Sequence, residues 1–162
     1  MPIVVSDTSP LRALEFVDHL ELLSRLFQEV IVPPAVAAEL REPSRRFRPV
    51  DVARFPFLRV IVPQSLGEVN RLLSALDRGE SEALVLAGEL RADAVLIDEA
   101  DGRRVALEMG LVPIGTLGIL VRAKQERLID EVQPIMDRLI HDLGFFISDE
   151  LRYAVLEQAG EA

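Results

Sequence analysis

The chain has 162 residues, enough for one domain with a sizeable core, and its lack of cysteine excludes disulfides and thiolate metal sites. With only two histidines, His19 and His141, a histidine-rich zinc site is excluded as well. The net charge of −9 argues against a protein that binds nucleic acid through general positive charge. It leaves room for an enzyme whose acids hold cations beside a local basic patch.

Aliphatic residues dominate the apolar part of the chain, since hydrophobic residues make up 49% and aromatic residues only 5%. No apolar stretch reaches the roughly 20 residues of a membrane span, and the first residues lack the pattern of a signal peptide. We therefore expect a cytoplasmic protein with a core of Leu, Val, Ile and Ala.

Short apolar strands alternate with helical segments along the chain. The strands are predicted at residues 3–6, 29–32, 58–62, 94–97 and 111–114. The helices are predicted near residues 10–17, 19–27, 33–41, 66–77, 80–91, 99–109, 116–127, 131–143 and 148–159. This alternation predicts an α/β fold, a three-layer α/β/α sandwich around a mostly parallel sheet. We expect a single domain over residues 1–162, with the helices of residues 131–159 packed on it or used in a homodimer.

The first predicted strand ends at Asp7, and a hydroxyl-rich turn leads directly into a helix. Ser9 is suited to the N-cap of that helix, with Pro10 at the first helical position, where a missing N–H costs nothing. Because open α/β sheets build their sites at the carboxyl ends of strands, Asp7 lies where a functional side chain is expected.

Two further candidates are glutamates on predicted helices. Val36 and Leu40 define the buried stripe of one helix, and Glu39 lies on its shoulder, from which a carboxylate can lean into a cleft. Glu82 begins an almost wholly apolar helix, whose first turn is expected to abut the sheet edge. Simpler explanations exist: Glu39 as a surface side chain, and Glu82, like Glu80, as a first-turn acid that stabilises the helix dipole.

The fourth candidate, Asp98, ends the apolar strand of residues 94–97 and precedes a helix, as Asp7 does. If the two strands are parallel neighbours, both carboxylates emerge at the same sheet edge. A helix N-cap is the simpler explanation for Asp98. Asp101 is able to share either role, and the nearby Glu99 leaves the register of this motif open.

Several carboxylates on one sheet edge repel one another unless a cation neutralises them. All-oxygen ligands suit Mg²⁺ or Mn²⁺, which activate water and stabilise the charge that develops on a phosphate during displacement. The sequence therefore predicts a metal-dependent site for phosphate-ester chemistry.

The motifs of these four acids occur in the order seen in PIN domains, which the chain resembles over roughly residues 1–155. They are Asp7-Thr8-Ser9, the helix ending Ala38-Glu39-Leu40, the helix start Gly79-Glu80-Ser81-Glu82-Ala83 and the turn Ile97-Asp98-Glu99. The resemblance is closest to a prokaryotic branch with Gly-Thr-Leu-Gly late in the chain, here at residues 115–118. It implies a VapC-like, Rossmann-like fold and a Mg²⁺- or Mn²⁺-dependent endoribonuclease with RNA as substrate. Asp7, Glu39, Glu82 and Asp98 would be its catalytic and metal-binding quartet.

The resemblance also implies a toxin of a toxin–antitoxin pair, with an antitoxin protein as partner. Two departures are present: Glu82 stands where aspartate is usual, and Leu96 stands where threonine is common. They favour an alternative, a catalytically weak or inactive PIN-like module that binds RNA or a protein partner. An aspartyl-phosphate enzyme is disfavoured, since Ser9 stands where such hydrolases place a second aspartate.

Positive charge is concentrated in one segment, residues 41–54, which carries five arginines against Glu42 and Asp51. With Phe47 and Phe55 nearby, this segment is able to follow an RNA backbone and stack on bases. A solvated loop whose phenylalanines dock on the domain explains the same pattern.

Overall fold

The computed structural model describes residues 2–162, and its five strands lie close to their predicted positions. They are β1 (Ile3–Ser6), β2 (Glu29–Val32), β3 (Leu58–Val60), β4 (Ala94–Leu96) and β5 (Pro113–Ile114). Every neighbouring pair is parallel, in the order β3-β2-β1-β4-β5. The predicted parallel sheet is therefore confirmed.

The helices also follow the predicted order. They are α1 (Thr8–Phe16), α2 (Leu22–Leu26), α3 (Pro34–Arg41), α4 (Leu66–Leu72), α5 (Arg78–Glu89), α6 (Ala100–Glu108), α7 (Thr116–Gln125), α8 (Gln133–His141) and α9 (Asp149–Gln158). Three predicted helices are clearly shorter than expected, since 19–27 reduces to α2, 66–77 ends with α4 at Leu72, and 131–143 reduces to α8. A short 3-10 helix, Val52–Arg54, lies in the segment predicted to be irregular.

Successive residues of each strand face opposite sides of the sheet, and this divides the core into two layers. Val4 and Leu96 pack in a core formed mainly with α1, α2 and α7–α9. Val5 and Val95 pack on the other side with α4, α5 and α6. Helices therefore cover both faces of the sheet, which confirms the three-layer α/β/α sandwich.

The start of α1 differs from the sequence prediction. Asp7, not Ser9, occupies the N-cap position, and its side chain makes no capping hydrogen bond. Pro10 consequently lies at the third helical position, where its missing N–H still has no intrahelical partner to lose. The Ser9 prediction was wrong because α1 begins directly after the strand, which leaves the Asp7 carboxylate free of a capping role.

The chain reverses direction across the sheet between β1 and β4. From β1 it moves outward through β2 to β3, then returns to the other side of β1 to form β4 and β5. Ser6 is in register with Leu96, and the N–H of Asp7 donates to the carbonyl of Leu96 over 2.9 Å. This is the topological switch point at which open α/β sheets bind ligands, and Asp7 and Asp98 lie beside it.

The C-terminal helices α8 and α9 pack on the same core as α1, through Met136, Leu139 and Leu156. Beyond α9, the Glu161 carboxylate accepts hydrogen bonds from the N–H groups of Val132 and Gln133 and pairs with Lys124. Within residues 2–162, no helix combines the length and the apolar character needed to cross a membrane.

Candidate active site

Asp7 is the most deeply buried acid at the switch point, with 5% of its surface exposed. Burial raises the pKa of Asp7 to about 7. The Thr8 N–H lowers this pKa in part, and the negative charges of Asp77, Glu39 and Asp98 raise it further. Three other carboxylates are therefore close enough to Asp7 for their charges to be felt.

Glu39 reaches the same place from α3, because the start of α5 has no side chain in the way. A Cβ atom at Gly79 would lie 2.7 Å from Oε1 of Glu39 and 3.3 Å from Oδ1 of Asp7. Burial raises the pKa of Glu39, opposed by the nearby Thr8 hydroxyl, and Asp77 raises it further. The structure thus brings Asp7 and Glu39 together over Gly79.

Two site residues escaped the sequence analysis, Asp77 and Glu80. Asp77 is the N-cap of α5, and its Oδ1 accepts a hydrogen bond from the Glu80 N–H over 2.8 Å. Burial, a hydrogen bond between the two side chains and the charges of Asp77 and Asp7 together raise the pKa of Glu80 to about 8. The Asp-x-x-Glu spacing is typical of a helix start, and this signal was available in the sequence.

Asp98 lies at the same sheet edge but faces the start of α7. Its two carboxylate oxygens accept hydrogen bonds from the N–H and the hydroxyl of Thr116, each over 2.7 Å. Glu99, not Asp98, is the N-cap of α6, so the capping explanation for Asp98 was wrong. Asp98 is thus held toward α7 and lines neither of the two cavities described below, although its negative charge contributes to the raised pKa of Asp7.

Glu82 is the predicted site residue that the structure directs elsewhere. Its Oε1 accepts a hydrogen bond from the Ala35 N–H, and its Oε2 pairs with Nε of Arg78 over 2.9 Å. The first of these bonds satisfies an N–H group in the first turn of α3, which has no partner inside the helix. Glu82 therefore ties α5 to α3, and it lines neither of the two cavities described next.

Acidic side chains line two adjoining cavities at this edge of the sheet. One, of about 170 Å³, is lined by Asp7, Glu39, Asp77 and Glu99, among others. The other, of about 360 Å³, shares Asp77 and Glu99 and adds Glu80 and Asp101. We call these two cavities the acidic groove, defined by Asp7, Glu39, Asp77, Glu80, Glu99 and Asp101.

The residues of the acidic groove suit a hard divalent cation. Their donors are all oxygens, as Mg²⁺ and Mn²⁺ prefer, and burial together with repulsion from other acids makes the charged forms of Asp7, Glu39 and Glu80 costly. The Thr8 hydroxyl is buried beside them with no hydrogen-bond partner. Within residues 2–162, however, no three acidic or histidine side chains already form a metal-binding group. The chemistry fits a cation, although the carboxylates as placed are not yet gathered around one point.

Comparison with known proteins agrees with the fold. The sequence profile of the PIN domain matches residues 3–161, so the chain belongs to the PIN domain family. PIN domains are generally nucleases and typically use divalent metals, which supports a hydrolase acting on nucleic acid at this coarse level. No solved structure matches the chain.

Two curated relatives match a part of the chain. They are 7,8-didemethyl-8-hydroxy-5-deazariboflavin synthases of Synechococcus elongatus and of a second Synechococcus strain, each 32% identical over 110 residues. The matched part is 57% of this chain and 32% of the relative. The chain thus spans about a third of the length of these proteins, and the match does not carry their activity over to it.

Proposed function

We propose that this protein is a Mg²⁺- or Mn²⁺-dependent endoribonuclease that hydrolyses phosphodiester bonds of RNA in the acidic groove. The observation that carries the proposal is the group of buried carboxylates at the switch point. Asp7, Glu39 and Glu80 all have raised pKa values, because burial and neighbouring negative charges act on each. Perturbed acids gathered in a cleft are typical of catalytic sites.

Within this proposal, Asp7, Glu39 and Asp77 would hold the cation, with the unpartnered Thr8 hydroxyl as an additional oxygen donor. When bound, such a cation supplies an activated water and stabilises charge on the reacting phosphate. Binding would require the carboxylates to rotate toward one another. Glu80 is suited to exchange a proton near neutral pH, since its pKa is raised to about 8.

The remaining predicted residues take supporting roles. Asp98, fixed by Thr116, would add negative charge to the cation site and orient it from the β4 side. Glu82 would keep α3, and with it Glu39, in position relative to α5. The functional set proposed from the structure therefore retains Asp7, Glu39 and Asp98, adds Asp77 and Glu80, and changes the role of Glu82.

The test is a cleavage assay on single-stranded and structured RNA with Mg²⁺, with Mn²⁺ and with a chelator. We expect cleavage by the wild type with either metal and none with the chelator or in Asp7→Asn. Asp130→Asn is the matched control, because it makes the same change at an exposed position away from the groove. Equal, negligible cleavage by the wild type and Asp7→Asn in Mn²⁺ would remove the catalytic proposal.

One observation favours the alternative, a PIN-like module that binds RNA or a protein without cutting RNA. It is the lack, within residues 2–162, of three acids already gathered as a metal-binding group. Calorimetry separates the two functions: saturable Mn²⁺ binding by the wild type that is lost in Asp7→Asn supports the enzyme. Heat of dilution alone in both proteins supports the module.

A toxin role, an antitoxin partner and a homodimer are proposals that rest on family resemblance. For the dimer, exposed apolar side chains on α9, Leu151 and Tyr153, offer a contact surface. Light scattering of the purified protein tests it, with a single monomer mass as the contrary result.

A further inference from the structure

The acidic groove adjoins a third cavity, whose wall carries more positive than negative side chains. Arg12 and Phe47 line the smaller acidic cavity and also a neighbouring cavity of about 330 Å³. We call this neighbour the arginine pocket, after Arg12, Arg46, Arg48 and Arg138 in its wall. Its volume lies at the lower end of the range of about 300–1,000 Å³ found for small-ligand sites. The acidic groove and the arginine pocket therefore share two lining side chains, Arg12 and Phe47.

Within residues 2–162, three of the four arginines in the arginine pocket form no ion pair, although the charge of Arg48 still lowers the pKa of Glu15 in part. Asp18 and Glu15 also line the pocket, and Asp18 pairs with Arg138 over 3.7 Å. None of the ion pairs formed among residues 2–162 involves Arg12, Arg46 or Arg48. On a protein with a net charge of −9, this concentration of guanidinium groups is a local attractor for anions.

The pocket is held in shape before any ligand arrives. Arg12 donates to the backbone carbonyl of Glu39 and lies over the Phe47 ring, 5.2 Å from its centroid. Phe47 packs edge-on against Phe16, with ring centroids 6.4 Å apart, and Arg46 donates to the Leu143 carbonyl over 3.0 Å. Such preorganisation reduces the entropy lost on binding. Phe47 and Phe55 thus dock on the domain, as the simpler explanation of this basic segment expected.

We propose that the arginine pocket is a subsite for single-stranded RNA, which holds the phosphate and base next to the phosphodiester bond in the acidic groove. This inference rests on the proposed function and adds the residues that would hold the substrate beside the reacting bond. Guanidinium groups match phosphate oxygens in pairs, so Arg46 and Arg48 would bind the backbone. Phe16 and Phe47 give the pocket an apolar wall for a base.

The mixed lining of the pocket, with phenylalanine rings beside guanidinium groups, is the reason for preferring a single strand. A base can enter a pocket between aromatic and guanidinium groups only after it leaves its stack and its pairing partner. In a single strand this cost is small, and stacking on protein groups returns about 1–3 kcal/mol per base in known single-strand binders. A duplex would present only its phosphates to the rim.

The experiment measures RNA binding in an Asp7→Asn background, in a chelating buffer, so that binding is separated from cleavage. The probe is a fluorescently labelled short oligouridylate, with a blunt RNA duplex for comparison. Arg48→Gln tests the pocket, because Arg48 lines it and takes no part in an ion pair within residues 2–162. Arg45→Gln is the matched control, since it removes the same charge from the same exposed segment but does not line the pocket.

We expect Arg48→Gln to weaken binding of the single strand about tenfold, the size of one charged hydrogen bond, and Arg45→Gln to change it less than about twofold. The slope of log K against log salt should fall by about 0.7 in Arg48→Gln. Equal losses in the two variants, or equal binding of strand and duplex, would overturn the subsite. If the Arg48 difference holds but the wild type shows no metal-dependent cleavage, only the nuclease proposal fails. If the wild type cleaves RNA but the difference is absent, only the subsite fails.

Discussion

Glu80 and Glu82 lie two residues apart at the start of α5 and are almost equally buried, at 7% and 6% exposure. Glu82 accepts a hydrogen bond from the Ala35 N–H and pairs with Arg78. Glu80 instead faces Asp77 and Asp7, and burial with these neighbours raises its pKa to about 8. Burial alone therefore does not distinguish a structural acid from a functional one; the partners supplied by other elements do.

The same contrast separates two larger regions. Near the C-terminus, burial acts to raise the pKa of Glu161, but the N–H groups of Val132 and Gln133 and the Lys124 ammonium lower it overall. In the acidic groove, burial raises the pKa of Asp7 and neighbouring acids add to the effect. The first region uses its carboxylate to join elements of the fold, whereas the carboxylates of the second face other acids, and the proposed function assigns them to a cation.

The largest effect is expected for Asp7→Asn. If Asp7 serves the reaction and not the fold, cleavage should fall by about 10²–10³-fold, as when one charge-stabilising group is removed from an active site. The free energy of unfolding at neutral pH should stay the same or rise, because a buried, repelled charge is removed. Parallel cleavage and thermal-unfolding measurements check this, and a large loss of stability would place Asp7 with the structural acids.

A smaller loss of cleavage is expected for Gly79→Ala, which disturbs the positions of Glu39 and Asp7 without changing any charge. The new Cβ would lie 2.7 Å from Glu39 Oε1, so both Glu39 and Asp7 must shift. We expect cleavage to fall by about 10- to 100-fold, as for small misplacements of reacting groups.

Gly67→Ala is the matched control for this change. Gly67 has the same position in α4, second in the helix, and has no atom within 4 Å of an added Cβ. This control should keep full activity and gain about 0.4–1 kcal/mol of stability. Similar activities for the two variants would show that the Glu39–Asp7 spacing is not critical.

Neutralising Glu80 and Glu82 one at a time tests directly whether their roles differ. Glu82→Gln should lower the free energy of unfolding by about 1–3 kcal/mol, because the charge-assisted bond from the Ala35 N–H and the ion pair with the partly exposed Arg78 are both weakened. Glu80→Gln should leave stability nearly unchanged and reduce cleavage more strongly. Chemical denaturation and initial cleavage rates measure both. If Glu82→Gln abolished cleavage and left stability unaltered, Glu82 would serve the reaction and not the fold.

The smallest effect is a pH dependence of stability. The ordinary pKa values of Asp7 and Glu80 are 3.8 and 4.5, and in the folded protein they rise to about 7 and about 8. At pH values between the ordinary and the raised pKa of each group, the folded state binds more protons than the unfolded chain. The free energy of unfolding therefore falls as pH rises. We expect the melting temperature to drop by several degrees from about pH 5 to about pH 8. The drop should be smaller in Asp7→Asn and smaller with Mn²⁺ present; a rise with pH would contradict the pKa shifts.

Local signals in the sequence predicted Asp7 and Asp98 because each ends an apolar strand, and parallel strands bring their carboxyl ends to one edge. The helical wheel of α3 correctly indicated that Glu39 was able to lean toward a cleft. Asp77 and Glu80 were missed because stabilisation of a helix start already explained acids there. Glu82 was given a direct role because its partner Ala35, 47 residues away, leaves no mark in the local pattern.

By itself, the sequence determined the order of strands and helices, the two-sided sheet and the edge at which acids collect, since apolar periodicity and strand direction are properties of the chain. Only the tertiary structure decided which acids find a hydrogen-bond or ion-pair partner and which face other acids. Desolvation and Coulomb interactions depend on distance through space, so one glutamate of α5 bonds to α3 while its neighbour meets Asp7 and Asp77. The tertiary structure likewise places Arg12 between the acidic groove and the arginine pocket.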